Sequence, residues 1–117
     1  MHALIIEQDM WIIFMIENVL RDLGYTSFAL ASCPDTAIAA ATKRCPDLIT
    51  SDMRLDAGTG IDAVRQICSA KAIPVVFVTA TPWEVRQIDS SAIVVPKPFG
   101  EDTLKQGVAR ATALHAS

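Results

Sequence analysis

The chain is poor in the residues that build metal ribbons, membrane spans and nucleic-acid grips. Its 117 residues include only three cysteines, at positions 33, 45 and 68, and no two of them form a CxxC. A zinc ribbon or a dithiol redox motif is therefore excluded, and three buried or half-buried thiols in a reducing cytosol are expected. Ten Lys and Arg against thirteen Asp and Glu give a net charge of −3, and only Lys43 and Arg44 adjoin one another. Nucleic-acid binding as a general role needs a basic patch, and this composition lacks one. Long apolar runs are absent too. Met10 to Ile16 falls well short of the roughly 20 residues that span a bilayer. The first apolar run is broken by Glu7 and Asp9, which argues against a secretory leader. No membrane association and a cytoplasmic location are expected.

What is present points to a folded core. Hydrophobic residues make up 51% and charged residues 20%, a balance that argues against disorder. The length fits one domain, 1–117, that buries roughly two-thirds of its unfolded surface. The last helical segment runs almost to Ser117, so no output domain is expected after it. Five apolar runs alternate with five helical-length segments. The strand candidates are 3–7, 26–31, 47–51, 74–79 and 92–95; the helix candidates are 10–23, 34–44, 60–70, 82–89 and 101–114. Strict alternation implies an α/β fold, a doubly wound parallel sheet with helices on both faces and right-handed crossovers. Runs 1, 3 and 4 are uninterrupted and should be central. The more polar second run suits an edge.

Helix punctuation agrees with these boundaries. Thr81-Pro82-Trp83-Glu84, Ser32-Cys33-Pro34-Asp35 and Thr59-Gly60-Ile61-Asp62 each carry an [ST]-x-x-[DE] capping signature. Gly24 fits the end of the first helix.

The chemistry collects at strand ends. Asp52 closes Pro46-Asp47-Leu48-Ile49-Thr50-Ser51. Glu7 and Asp9 follow Ala3-Leu4-Ile5-Ile6, Thr79 follows Pro74-Val75-Val76-Phe77-Val78, and Lys97 follows Ala92-Ile93-Val94-Val95. In an open parallel sheet the strand C-termini share one rim, where ligands bind. An ionised carboxylate persists there only with compensating partners. Acids, a hydroxyl and one lysine are thus expected at a single mouth.

In that order, the stretches Leu4-Ile5-Ile6-Glu7-Gln8-Asp9, Pro46 to Leu55, Val76-Phe77-Val78-Thr79-Ala80 and Pro96-Lys97-Pro98-Phe99 resemble the receiver domain of bacterial two-component response regulators. The resemblance implies a flavodoxin-like (βα)5 sheet of order 2-1-3-4-5. It implies that Asp52 is the phosphoacceptor, charged by a histidine kinase or histidine phosphotransferase in a Mg²⁺-dependent reaction. Glu7 and Gln8 occupy the paired-acid position that holds the metal, and Arg54 would lend its backbone carbonyl. Thr79 would swing its hydroxyl toward the phosphoryl group, and Lys97 would pair with it. The Lys97-Pro98 bond would be cis. Such a chain is a signalling protein with at most self-catalysed phosphotransfer and dephosphorylation, not a dedicated enzyme. The stand-alone type is expected.

Three departures qualify that picture. Gln8 replaces the second acid, so Mg²⁺ should be held weakly. Asp9 is a candidate extra ligand, against the plainer reading that it caps the first helix. Val94 replaces the ring that the family carries three residues before the lysine; Trp83 is a candidate substitute, against a half-buried packing role. Lys97 follows Thr79 by only 18 positions, so the fourth helix must be short. That spacing, with Phe77-Val78-Thr79, resembles single-domain alphaproteobacterial receivers named for a Phe-Ala-Thr-Gly-Tyr-type motif, which Ala80 and Thr81 do not complete. The rival is a pseudo-receiver, a protein-binding adaptor of the same fold with weak or no metal binding and phosphorylation. A dehalogenase-type phosphatase would need a second acid at position 54, and a flavodoxin would not place acids after its first strand.

Most other polar residues read as surface. His2 and His115 are expected to be solvated, Arg21, Arg65, Arg86 and Arg110 to lie on outer helix faces, and Asp47 and Asp56 to serve turns. Trp11 to Ile16 is a run of six apolar residues on the first helix. Some must face outward, which marks an interface. Ile13, off the Ile12-Ile16-Val19-Leu20-Leu23 stripe, is expected outermost, and a homodimer or partner docking through this helix follows.

Overall fold

The computed structural model describes residues 1–115; the last two residues of the expected 1–117 unit lie outside the described residues. In chain order the elements are β1 (His2–Ile6), α1 (Met10–Asp22), β2 (Ser27–Ala31), α2 (Pro34–Lys43) and β3 (Leu48–Ser51). Next come β4 (Arg54–Leu55), β5 (Gly58–Thr59), α3 (Gly60–Ile67), β6 (Val75–Thr79), α4 (Pro82–Ile88), β7 (Ile93–Pro96) and α5 (Glu101–Leu114). The main sheet has the order β2-β1-β3-β6-β7, and every pairing in it is parallel. Without the β4–β5 ribbon this is the expected 2-1-3-4-5 order. The three uninterrupted apolar runs are the central strands, and the polar second run is an edge.

Successive strand residues face opposite ways, so each central strand feeds two cores. Ala3, Ile5, Leu48, Val76 and Val78 pack toward Ile16, Leu20, Leu104 and Val108 of α1 and α5. Leu4, Ile6, Ile49 and Phe77 pack toward Ala37, Ile61, Val64 and Val85 of α2, α3 and α4. Thr50 interrupts the apolar pattern. Its hydroxyl is fully buried and has no hydrogen-bond partner among the described residues. An unpaired buried hydroxyl costs free energy that an isosteric methyl does not. Thr50→Val is therefore expected to raise stability by about 1 kcal/mol, measured by chemical denaturation; a loss of stability would mean a partner holds that hydroxyl.

Helix ends follow their local chemistry, with two differences from expectation. Thr59 caps α3 by accepting from the Asp62 N–H. Gly24, at φ 98°, closes α1 in a left-handed turn, with the Tyr25 N–H donating to Leu20 and the Gly24 N–H to Arg21. At α2 the cap is Cys33 rather than Ser32, and Thr36 completes the reciprocal box. At α4 the Thr81 side chain makes no capping bond, because its hydroxyl sits 3.2 Å from that of Thr79. Cys45 is exposed and Cys33 and Cys68 are half-buried, so the thiols are less protected than their apolar character implied.

His2 is not solvated. It opens β1 and is 5% exposed. Its Nδ1 lies 2.8 Å from Ser27 Oγ, which also accepts from Arg44 at 2.9 Å. Asp47, expected in a turn, accepts from the His2 backbone N–H at 2.7 Å. Burial, and then the Arg44 charge, pull the imidazole pKa below its ordinary value of 6.5. A depressed histidine pKa means the unfolded chain takes the proton first, so stability is full above that value and falls as pH drops below it. His2→Gln removes this titration. The thermal midpoint of the wild type is expected to fall faster than that of His2→Gln on acidification from about pH 6.5; parallel curves would show that His2 takes up its proton equally in the folded and unfolded chain.

Ile13 also differs from expectation. It is 7% exposed and belongs to the α1–α5 core. Six consecutive apolar residues fit more than one helical phase, and the realised one buries Ile13, Ile16, Val19 and Leu20. The outward residues are Met10, Trp11, Phe14 and Met15, with the Trp11 and Phe14 rings edge to face at 6.5 Å. No helix among the described residues is long and apolar enough to cross a membrane.

Candidate functional site

The parallel ladder delivers its polar residues to one rim. The Glu7 N–H continues the β1–β2 ladder to the Ala31 carbonyl at 2.9 Å, and the Asp52 N–H continues β3–β1 to the Ile6 carbonyl at 2.9 Å. On the other side the Lys97 N–H donates to the Thr79 carbonyl at 2.9 Å. Glu7, Asp52 and Lys97 thus follow β1, β3 and β7, and Thr79 ends β6, all at the same end of the sheet. The Lys97-Pro98 bond is cis, as the resemblance implied.

Lys97 joins the two acids. Its Nζ donates to Glu7 Oε1 at 2.7 Å and to Asp52 Oδ2 at 3.1 Å. The Glu7 side chain is 3% exposed, while those of Asp52 and Lys97 are each 17% exposed. The remaining carboxylate oxygens accept backbone donors. Glu7 Oε2 takes the Gln8 and Asp9 N–H groups at 3.0 and 3.1 Å, and Asp52 Oδ1 takes the Met53 N–H at 2.7 Å. Burial alone would lower the Lys97 pKa, but hydrogen bonds and charge from Glu7 and then Asp52 outweigh it and raise the pKa above its ordinary value. The ammonium is firmly charged, and it offsets the repulsion between two acids at a nearly dry rim.

Other candidates stand apart. The Thr79 hydroxyl, 1% exposed, faces Thr81, whose N–H it accepts at 3.0 Å. Gln8 is exposed and joins the site through its backbone N–H. Asp9 Oδ1 accepts from the Trp11 and Ile12 N–H groups, so Asp9 caps α1 and is not turned to the acids. The Arg54 side chain reaches Glu84 on α4, with Nε at 3.1 Å and a terminal nitrogen at 2.9 Å from Oε1. Trp83, expected half-buried, is 58% exposed.

Two features near Asp52 are absent from the sequence reading. Arg54 and Thr59 pair antiparallel, as do Leu55 and Gly58, so β4 and β5 form a small ribbon behind the site. Asp56 and Gly58 carry the turn signal: Gly58 sits at φ 149°, where glycine is favoured, while Ala57 at φ 55° occupies the left-handed region that a Cβ disfavours. The ribbon returns the chain to Gly60, whose N–H donates to the Met53 carbonyl at 2.8 Å. A Cβ on Gly60 would lie 1.8 Å from the Asp52 carbonyl oxygen and 2.3 Å from Ser51 Oγ. Only glycine permits this approach.

The fit to Mg²⁺ is partial. Two carboxylates suit a hard cation that keeps several waters, but no group of three His, Cys, Asp or Glu among the described residues could hold a metal. Gln8 removes the charge that would complete the set.

Comparison with known proteins agrees with this geometry. A family model described as "Response regulator receiver domain" matches residues 3–109. The phyllosphere-induced regulator PhyR of Methylorubrum extorquens is 34% identical over 101 residues, 82% of this chain but 38% of that protein, so the chain spans well under half of it. The chemotaxis protein CheY of Pseudomonas aeruginosa is 32% identical over 101 residues, covering 80% of this chain and 82% of its own length. Among solved structures, the receiver domain of Erythrobacter litoralis PhyR superposes with a TM-score of 0.89 at 32% identity. That match covers 99% of this chain and 92% of the other.

Proposed function

The chain belongs to the response regulator receiver domain family, and from that premise we propose that it receives a phosphoryl group on Asp52 from a phosphohistidine donor. One observation carries the reading. Asp52 directly follows the central strand β3 and shares the Lys97 ammonium with buried Glu7. Transfer of a phosphoryl group demands positioning and charge neutralisation above all. An Asp52 carboxylate oxygen attacks phosphorus, the O–P bond forms, and the N–P bond breaks with its electron pair returning to the donor imidazole. Lys97 holds one oxygen of Asp52 in place and faces the incoming negative charge. Thr79 is the hydroxyl that leaves Thr81 for a phosphoryl oxygen. Glu7, Asp52, the Arg54 carbonyl and Gln8 would hold Mg²⁺ weakly, and the ion would supply further charge neutralisation.

Receiver domains work with histidine kinases or phosphotransfer proteins. The outward Met10, Trp11, Phe14 and Met15 face of α1 adjoins this rim and is the surface we assign to the donor or to self-association. A second reading, a protein-binding pseudo-receiver, draws on exposed Gln8 and the absent third acid. One experiment separates them. Phosphorylated donor is mixed with wild type and Asp52→Asn across a Mg²⁺ titration, with label transfer and tryptophan emission read together. Transfer to the wild type alone, saturating at high Mg²⁺, supports phosphoacceptor function. Label on Asp52→Asn removes the assignment, and an unlabelled wild type with flat emission favours the adaptor.

A further inference from the structure

We propose that Arg54 is a phosphoryl ligand held in reserve by Glu84, and that phosphorylation of Asp52 draws it off α4. The inference rests on the reading of Asp52 as phosphoacceptor. Arg54 lies two residues beyond Asp52 and begins the β4–β5 ribbon. Both of its contacting nitrogens converge on one oxygen of Glu84, which forgoes the two-oxygen fork that makes arginine–carboxylate pairs strong. Its side chain is 73% exposed, and ion pairs in that setting contribute little. A phosphoryl group on Asp52 would present more charge and more acceptor oxygens than the single Glu84 oxygen, and guanidinium suits that geometry. The chain has a specific need for such a donor, because Gln8 leaves the rim short of the charge that would hold a metal tightly.

The exchange has a built-in readout. The start of α4 lacks a side-chain cap. It is tied to the rim by the Thr79–Thr81 contact and by Arg54–Glu84. Trp83 lies beside Glu84 and faces solvent. Movement of Arg54 from Glu84 to the phosphoryl group cuts one tie, and Trp83 registers it.

The test uses the full chain carrying Trp11→Phe, so that Trp83 is the single emitter. Acetyl phosphate with Mg²⁺ is the donor. The Asp52 O–P bond forms, the phosphorus–oxygen bond to acetate breaks, and acetate leaves. Intact mass follows the added phosphoryl group while Trp83 emission is recorded. Glu84→Gln, which releases the competitor, is expected to lengthen the phosphoryl half-life and to show shifted Trp83 emission before any donor is added. Arg54→Ala and Arg54→Lys are expected to shorten the half-life, by about fivefold for the alanine, the loss of one charge-assisted bond in an open site. Opposite signs at the two positions support the exchange. Half-lives that move together at both positions, or phosphorylation without any Trp83 change, mark a plain surface bridge and overturn it. A wild type that gains no phosphoryl mass from acetyl phosphate or from a phosphohistidine donor overturns the phosphoacceptor reading itself, and the exchange with it.

Discussion

Gly60→Ala is expected to destabilise the chain by about 4 kcal/mol or more, a size reserved for steric overlap in a packed region. The added methyl carbon would sit 1.8 Å from the Asp52 carbonyl oxygen, a backbone atom that has no rotamer into which to retreat. Either α3 moves outward, exposing Ile61 and Val64, or the β3 end shifts and takes Asp52 with it. Both outcomes damage phosphotransfer along with stability. Denaturant unfolding and transfer rates on the same samples check this. A Gly60→Ala protein with wild-type stability would mean that the ribbon and α3 are free to give way.

Lys97→Met comes next in size. Its place at the rim between two prolines implies a role in the phosphorylated state more than in folding, and its contacts with two acids give it a structural part as well. Removing the ammonium leaves Glu7, 3% exposed, facing Asp52 with no counter-ion. Breaking one side of a buried pair costs about 3 kcal/mol. Methionine keeps the stem packing, so the loss reports charge. Because the lysine pKa is raised in the fold, its contribution is full at neutral pH and fades only as pH climbs through the lysine range. Urea unfolding at neutral pH measures the effect, and added Mg²⁺ should recover part of it. An unchanged midpoint would show that the ammonium contributes nothing to holding the two acids together.

The parts legible in the sequence share a cause. Apolar runs of strand length ending in a charged or hydroxyl residue report both the strand and the rim, since burial forces that pattern on a central parallel strand. Glu7, Asp52 and Lys97 were readable for this reason, and so was the edge position of β2. The remainder depends on contacts between distant segments. His2 is buried because Ser27 and Arg44 meet it across β2 and α2, a fact no local pattern carries. Ile13 was misplaced because an unbroken apolar run leaves the helical phase open. Thr81-Pro82-Trp83-Glu84 has the form of a capping box, yet Thr79 and Arg54 compete for its two side chains and take them. Gly60 appeared as an ordinary helix start, and its necessity arises only from the ribbon that folds it against Asp52.

The shortness of α4 has a consequence for local stability. A helix of seven residues is far below the length that holds together in water. It persists because Val85 is fully buried and because the rim grips its first turn. Its opening free energy therefore belongs to those anchors, and amide exchange should show α4 melting well before the central strands. Any event that loosens an anchor would change how often this segment is folded as much as where it points.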